Sequence, residues 1–123
     1  MIKLDLQSRL PIYEQLKARI SELVLTGVLK PDDQLPSVRT FARELGINPN
    51  TVQKAYQELE RDNIVYSVAG RGSYISSNSD LTDQLQEQQL DAIRQTVRQA
   101  KNASVPKDKV LHVVEGIYDE TPK

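Results

Sequence analysis

The decisive stretch runs from Leu35 to Gly72, and three pieces of it carry the reading: Leu35-Pro36-Ser37-Val38-Arg39, then Asn48-Pro49-Asn50-Thr51-Val52-Gln53-Lys54-Ala55-Tyr56, then Gly70-Arg71-Gly72. Ser37 has the side chain of an N-cap, a hydroxyl able to accept from a free amide of the turn that follows. Phe41, Ala42 and Leu45 then give one apolar face, and Gly46 supplies a left-handed stop. Asn48 is a second N-cap. Pro49 follows at the first helical position, where its missing N–H costs nothing and its fixed φ helps. Two short helices joined by a tight glycine turn have the layout of a helix-turn-helix, which offers the N-terminus of its second helix to the major groove.

That N-terminus is polar. Asn48, Asn50, Thr51, Gln53 and Lys54 fall on the outer part of the second helix, while Val52, Ala55, Tyr56 and Leu59 repeat at helical spacing on the inner part. Asn and Gln can bond adenine edges bidentately, and Thr can reach a base or a phosphate. A well-capped solvated face has the same pattern, so spacing alone leaves both readings open. The next segment weighs on the DNA side. Ile64 to Ala69 and Ser73 to Ile75 are β-branched and aromatic around Gly70-Arg71-Gly72, a strand-turn-strand signal. A hairpin behind a helix-turn-helix is a wing. Arg71 at its tip suits a phosphate or a narrow minor groove, and Gly72 leaves room for close approach. An ordinary surface turn is the rival. The Gly70-x-Gly72 spacing is too short for a nucleotide-binding loop.

From Pro11 to Ile75 the chain resembles the winged helix-turn-helix domain of the GntR family of bacterial transcription regulators. The matching residues are Pro11-Ile12-Tyr13, Gly27-Val28-Leu29, Pro31-x-Asp33, Leu35-Pro36-Ser37-x-Arg39, Ala42, Thr51-Val52, Ala55-Tyr56, Leu59 and Gly70-x-Gly72. Ile12-Tyr13-Glu14-Gln15, Asn48 to Val52 and the short remainder resemble the YtrA-type subfamily in particular. The resemblance implies a dimeric regulator that controls its own operon, often one encoding an ATP-driven transporter. Two positions depart from the pattern. Pro49 stands where many members carry a DNA-contacting Arg, which shifts the expected base contacts to Asn48 and Asn50. Asp32 stands where Gly is common, with an effect expected only on the local turn.

Composition bounds the alternatives. The chain has 123 residues, 38% hydrophobic and 27% charged, with a formal net charge of −1. Residues 1–76 hold ten Lys/Arg against nine Asp/Glu, so a DNA surface must come from local placement of Arg39, Arg43, Lys54 and Arg71. Weak overall charge predicts modest nonspecific affinity and reliance on dimerisation. The absence of cysteine removes disulfides, thiol catalysis and Cys-based metal sites. With no signal peptide and no apolar run of membrane length, a cytoplasmic location without membrane contact is expected.

The expected fold is mainly α with a small β wing. A winged helix-turn-helix domain covers 1–76, a polar linker 77–80 and a helical dimerisation region 81–123. Within the first part, residues 1–10 form an arm with a short extended piece at Ile2, Leu4 and Leu6. A supporting helix starts at Pro11 and carries Ile12, Leu16, Ile20, Leu23 and Val24 to Gly27; Leu29 and Leu35 plug the core after it. In the tail, Leu81, Leu85, Leu90, Ile93, Val97 and Ala100 stripe a helix of about 35 Å reaching Ser104. Pro106 stops it, and Val110 to Tyr118 form a short apolar helix. Two such helices are too small to make a core alone and need a partner. The expected partner is the same pair in a second subunit, and packing back onto the first domain is the alternative.

His112, the single histidine, reads as a buried or interfacial residue; Asp108 and Glu115 would complete a metal site only partly. No catalytic constellation and no cofactor motif is present. The expected function is a sequence-specific repressor binding double-stranded operator DNA as a homodimer. Ser37, Arg39 and Arg71 would hold phosphates and wing, and Asn48, Asn50, Thr51, Gln53 and Lys54 would form the reading surface. The rival from another class is a protein-interaction module with vestigial DNA binding, and an enzyme is a distant third. The sequence names no effector and no operator.

Overall fold

A computed structural model describes residues 2–77 and 81–121. The described chain forms α1 (Ile12–Leu25), α2 (Val38–Leu45), α3 (Pro49–Arg61), β1 (Val65–Val68), β2 (Gly72–Ile75), α4 (Leu81–Asn102) and α5 (Lys107–Tyr118). It divides into two compact units, Met1–Leu85 and Gln86–Lys123.

The helix boundaries of the first unit follow from local chemistry. Ser37 Oγ accepts from the Thr40 amide at 3.1 Å and so caps α2. Gly46 ends α2 at φ 69°, a left-handed conformation that glycine adopts without steric cost. Asn48 Oδ1 accepts from the Asn50 amide at 2.8 Å, and Pro49 opens α3. Pro11 precedes α1, and its carbonyl accepts from the Glu14 and Gln15 amides. No strand forms in residues 2–10. Ile2 and Leu4 are partly buried against the core, while Leu6 is 78% exposed. The arm is held by Gln15, whose Oε1 accepts from the Asp5 amide and whose Nε2 donates to the carbonyls of Asp5 and Leu10.

The core joins Leu16 and Ile20 of α1, Phe41 and Ala42 of α2, and Val52, Ala55, Tyr56 and Leu59 of α3, with Leu35, Ile64, Val65 and Ile75 closing it beneath the wing. Leu81 and Leu85 are in the same buried cluster, at 4% and 3% exposure. Part of the expected linker, Asn78 to Asp80, lies outside the described residues. The start of α4 contributes to the first unit's core, so the compact unit extends beyond the expected boundary at residue 76. The apolar residues lost to the first unit there were expected in the dimerising stripe.

Lys17 of α1 reaches across to α3, with Nζ 2.7 Å from Glu58 and 3.8 Å from Asp62. The Lys17 hydrogen bond, helped by its charge and that of Arg61, holds the Glu58 carboxyl below its ordinary range against the opposing effect of burial. A carboxyl with a lowered folded pKa adds stability above its unfolded pKa, about 4.3, and loses it as pH falls through the folded value. Lys17→Met is therefore expected to lower stability at neutral pH and leave it little changed in acid, so that the fall in stability below about pH 4.3 is flattened. Urea unfolding over a pH series reads this directly, and an unchanged acid limb would show that the pair contributes nothing.

The wing is a two-stranded antiparallel sheet in which Val65 pairs with Ile75 and Val68 with Gly72. Residues 32–35 run along its outer edge. Asp32 N donates to Ile75 O, Ile75 N to Asp33 O and Leu35 N to Ser73 O, each at 2.8 Å. Asp32 adopts φ 67°, and its carboxylate accepts from the Tyr66 hydroxyl at 2.7 Å. This bond to Asp32 is the main reason the Tyr66 phenol is raised above its ordinary pKa. The Asp at position 32 thus ties the turn to β1, a wider role than the local one expected of it.

In the second unit, α4 ends at Asn102, two residues before the expected limit, and Ser104 turns the chain at φ 63°. Ile93, Val97 and Ala100 of α4 and Val110, Val114 and Ile117 of α5 line an apolar groove of about 660 Å³. No residue of α5 is buried. His112 is exposed, which removes the buried reading of it. Its helical neighbour Asp108 lines the same shallow depression, and no group of three or more metal-ligating side chains occurs among the described residues.

Candidate nucleic-acid interface

The expected surface is built on the start of α3, and α3 is fixed from its inner side. Val52, Ala55 and Leu59 are fully buried. Tyr56 lies 6.2 Å from Phe41, ring centre to ring centre, and its hydroxyl donates to Pro36 O at 2.7 Å. One residue of α3 therefore holds the chain just before the α2 cap. Burial, reinforced by the charge of Glu44, raises the Tyr56 phenol above its usual pKa, so it stays a neutral donor. With the inner positions occupied, helical geometry turns Asn50, Lys54, Gln57 and Arg61 outward along one row, spaced by four, three and four residues.

The polar residues divide by what their own fold already asks of them. Asn48 spends its side-chain oxygen on the Asn50 amide. Bidentate recognition of adenine needs an amide's oxygen and nitrogen together. The Asn48 oxygen is thus engaged once by its own cap, with one lone pair and the NH₂ left over. Asn50 and Gln53 are exposed, and their amides make no side-chain hydrogen bond among the described residues. Thr51 is half-buried at the flank of α3.

Ser37 is likewise committed. Its hydroxyl accepts from the Thr40 amide and donates to Thr40 Oγ1 at 2.9 Å. Ser37 is thereby a structural cap, and Thr40, which sequence reasoning passed over, holds the uncommitted hydroxyl proton of the pair. Arg39 and Arg43 are exposed one helical turn apart on α2, and neither forms an ion pair among the described residues. By contrast, Glu58 and Asp62 are neutralised by Lys17, with Arg61 3.7 Å and 3.6 Å from them. The near-balanced charge of the domain thus conceals a local separation: Glu58 and Asp62 near the end of α3 are paired, whereas among the described residues the arginines of α2 and the wing are not.

Lys54, on that outer row, also has a partner in α1. Its ammonium sits 4.0 Å from the centre of the Tyr13 ring, a cation–π contact with α1. The charge remains, but it is seated on α1 instead of lying free along the outer row of α3. Gln57 and Arg61, which share that row, were not among the expected site residues; extending the 3.6-residue period by two turns would have found them.

At the wing tip, the Arg71 side chain is exposed and unpaired among the described residues. Its amide donates to Val68 O, while Gly70 and Gly72 take φ 76° and 118°. A β-carbon on Gly72 would lie 3.1 Å from Gln34 Nε2. The glycine is thus required by its backbone conformation, and a β-carbon there would also press on the end of the Gln34 side chain.

A family described as bacterial regulatory proteins, gntR family, matches residues 12–75. The HTH-type transcriptional repressor YtrA of Bacillus subtilis is 48% identical over 99 residues, covering 80% of this chain and 75% of that one. The crystal structure of a transcriptional antiterminator from Listeria monocytogenes EGD-e superposes with a TM-score of 0.78 at 35% identity, over 98% of this chain and 90% of that one. The DNA-binding domain of AraR in complex with operator ORX1 superposes at 0.56 with 28% identity, over 61% of this chain and 96% of that one. These likenesses run through the capped two-helix motif and its wing. The chain belongs to the GntR family of bacterial regulatory proteins, on its YtrA-type side, and is a DNA-binding transcription regulator.

Proposed function

We propose that the chain is a repressor that reads a palindromic operator as a homodimer, with Asn50 as its principal base-reading residue. The observation that carries this is the difference between Asn48 and Asn50: the cap orients and engages the side chain of one, while the exposed side-chain amide of the other makes no hydrogen bond among the described residues at the start of α3. Gln53 reads beside Asn50, and Thr51 sits at the flank. Arg39, Arg71 and Lys54 contact phosphate, while Ser37 and Gly72 act by shaping α2 and the wing. Proteins of this family act by binding, and no catalytic step is assigned. Action in the cytoplasm, where the DNA is, fits the finding that no helix of the described residues is long and apolar enough to cross a membrane.

The dimer reading rests on the second unit. Leu90, Ile93, Val97, Leu111, Val113, Val114 and Ile117 are each at least 40% exposed in the single chain. An apolar surface this continuous needs cover, and a second copy supplies it with the two-fold symmetry that a palindrome demands. The proposed pairing region is the exposed apolar surface of residues 86–118, since Leu81 and Leu85 are buried in the first unit. The repressor named among the relatives supports the direction of regulation.

Asn50→Ala is expected to cost roughly 1–3 kcal/mol of binding at each half-site on the cognate sequence and little on unrelated DNA. Arg39→Ala should weaken both alike and reduce the salt slope by about one per contact. Binding of both variants to cognate and scrambled duplexes, over a range of salt, separates the roles. An Asn50→Ala protein with undiminished sequence preference would remove Asn50 from the reading surface.

A further inference from the structure

The exposed Gln34 side chain spans from the segment leading into α2 to the wing tip. Its Nε2 donates to Arg71 O at 2.8 Å. The Tyr74 hydroxyl donates to the same carbonyl at 3.4 Å. Gln34 also pairs with Tyr74 through an isolated antiparallel bridge. Gly72 leaves the space that the Gln34 amide occupies. Two hydrogen bonds thus converge on one peptide carbonyl, that of the wing-tip arginine, while the bridge and the space at Gly72 keep Gln34 beside it. Besides these, the Arg71 amide bonds Val68 O, while Gly70 and Gly72 flank Arg71 at positive φ, and glycine backbones have the largest freedom to lose.

We propose that Gln34 is a positioning residue for DNA binding, which holds the backbone of Arg71 so that its guanidinium meets the duplex at a fixed height and angle. Gln34 lies one residue before Leu35 and three before the α2 cap. The segment that starts the helix-turn-helix thereby also sets the reach of the wing. Removing the Nε2 donor frees the glycine-flanked tip, and ordering it again on DNA lowers affinity. The chemistry recognised is a phosphate or minor-groove edge of double-stranded DNA, met by Arg71. The inference rests on the proposed contact of Arg71 with DNA.

The test is a double-mutant cycle in the full-length protein, using Gln34→Met, Arg71→Ala and the pair, with operator affinity measured over a range of salt and thermal melting recorded beside it. Met keeps the length of the side chain and lacks the donor. Arg71→Ala should lower affinity about tenfold and reduce the salt slope. Gln34→Met should lower affinity about threefold to fivefold with melting unchanged, and should have no further effect once Arg71 is Ala. Gln34→Glu, which places an oxygen against the Arg71 carbonyl, should bind worse than Gln34→Met, whereas in the Arg71→Ala background the two should differ only by the repulsion of the added charge. Additive losses from Gln34→Met and Arg71→Ala would overturn the proposal, because Gln34 would then act independently of Arg71. Full affinity in Gln34→Met alongside a weakened Arg71→Ala would overturn it as well. Full affinity in Arg71→Ala would overturn the wing contact itself, and the positioning role with it.

Discussion

A fragment spanning residues 1–85 is expected to sediment as a monomer and to bind operator about 10²–10⁴-fold more weakly than the full chain, the usual cost of losing a tethered second half-site. The weak charge of the domain sharpens the effect, since one half-site offers few phosphate contacts to compensate. The choice of end point matters. Stopping at Ser76 would strip Leu81 and Leu85 from the core and confuse loss of the partner with loss of stability. Ending at Leu85 keeps the whole buried cluster and removes the exposed apolar residues of α4 and α5. Sedimentation velocity and fluorescence anisotropy with labelled operator measure both outcomes. A fragment that stayed a tight dimer would move the interface into the first unit and leave the groove between α4 and α5 without a role in assembly.

Leu85→Ala, made within that fragment, is expected to cost about 2–4 kcal/mol of unfolding free energy, the range for a buried leucine whose site collapses incompletely. Leu85 is 3% exposed and belongs to the same cluster as Leu16, Ile20 and Leu59. Gln84→Ala, one residue away and exposed, should change stability by less than about 0.5 kcal/mol. Urea denaturation of the pair decides whether the start of α4 is part of the winged domain's core. Equal stability in the two variants would return the boundary to the polar segment near residue 80.

The two predictions turn on the same distinction in scale. Caps, stops and turns are interactions between residues two to four apart, and those were legible. Ser37, Gly46, Asn48 and Pro49 bounded α2 and α3 where the structure has them, and the β-branched residues around Gly70 and Gly72 gave the hairpin. The apolar period of α3 also identified its inner side, because a 3.6-residue repeat is a property of one segment. Specific polar roles were legible only as membership of a surface. A side chain has a limited number of donors and acceptors, and which are already used depends on the fold. Asn48 and Asn50 look alike in sequence, yet one oxygen is committed to a cap.

Contacts between segments far apart in sequence were beyond reach. Lys54 on Tyr13, Glu58 on Lys17, Tyr66 on Asp32 and the Arg71 carbonyl on Gln34 join residues 34 to 41 positions apart. No local pattern encodes such a meeting, because it depends on the angle at which whole elements pack. The burial of Leu81 and Leu85 is of the same kind. Their spacing shows an apolar stripe, but the stripe carries no mark of which surface covers each turn. The sequence by itself determined a helix-turn-helix with a wing and an apolar tail, since periodicity and capping are written residue by residue. Tertiary structure alone decided where the first compact unit ends, which side-chain amides the fold itself engages, and what bonds the wing-tip carbonyl, since each depends on atoms brought together only when the chain has folded.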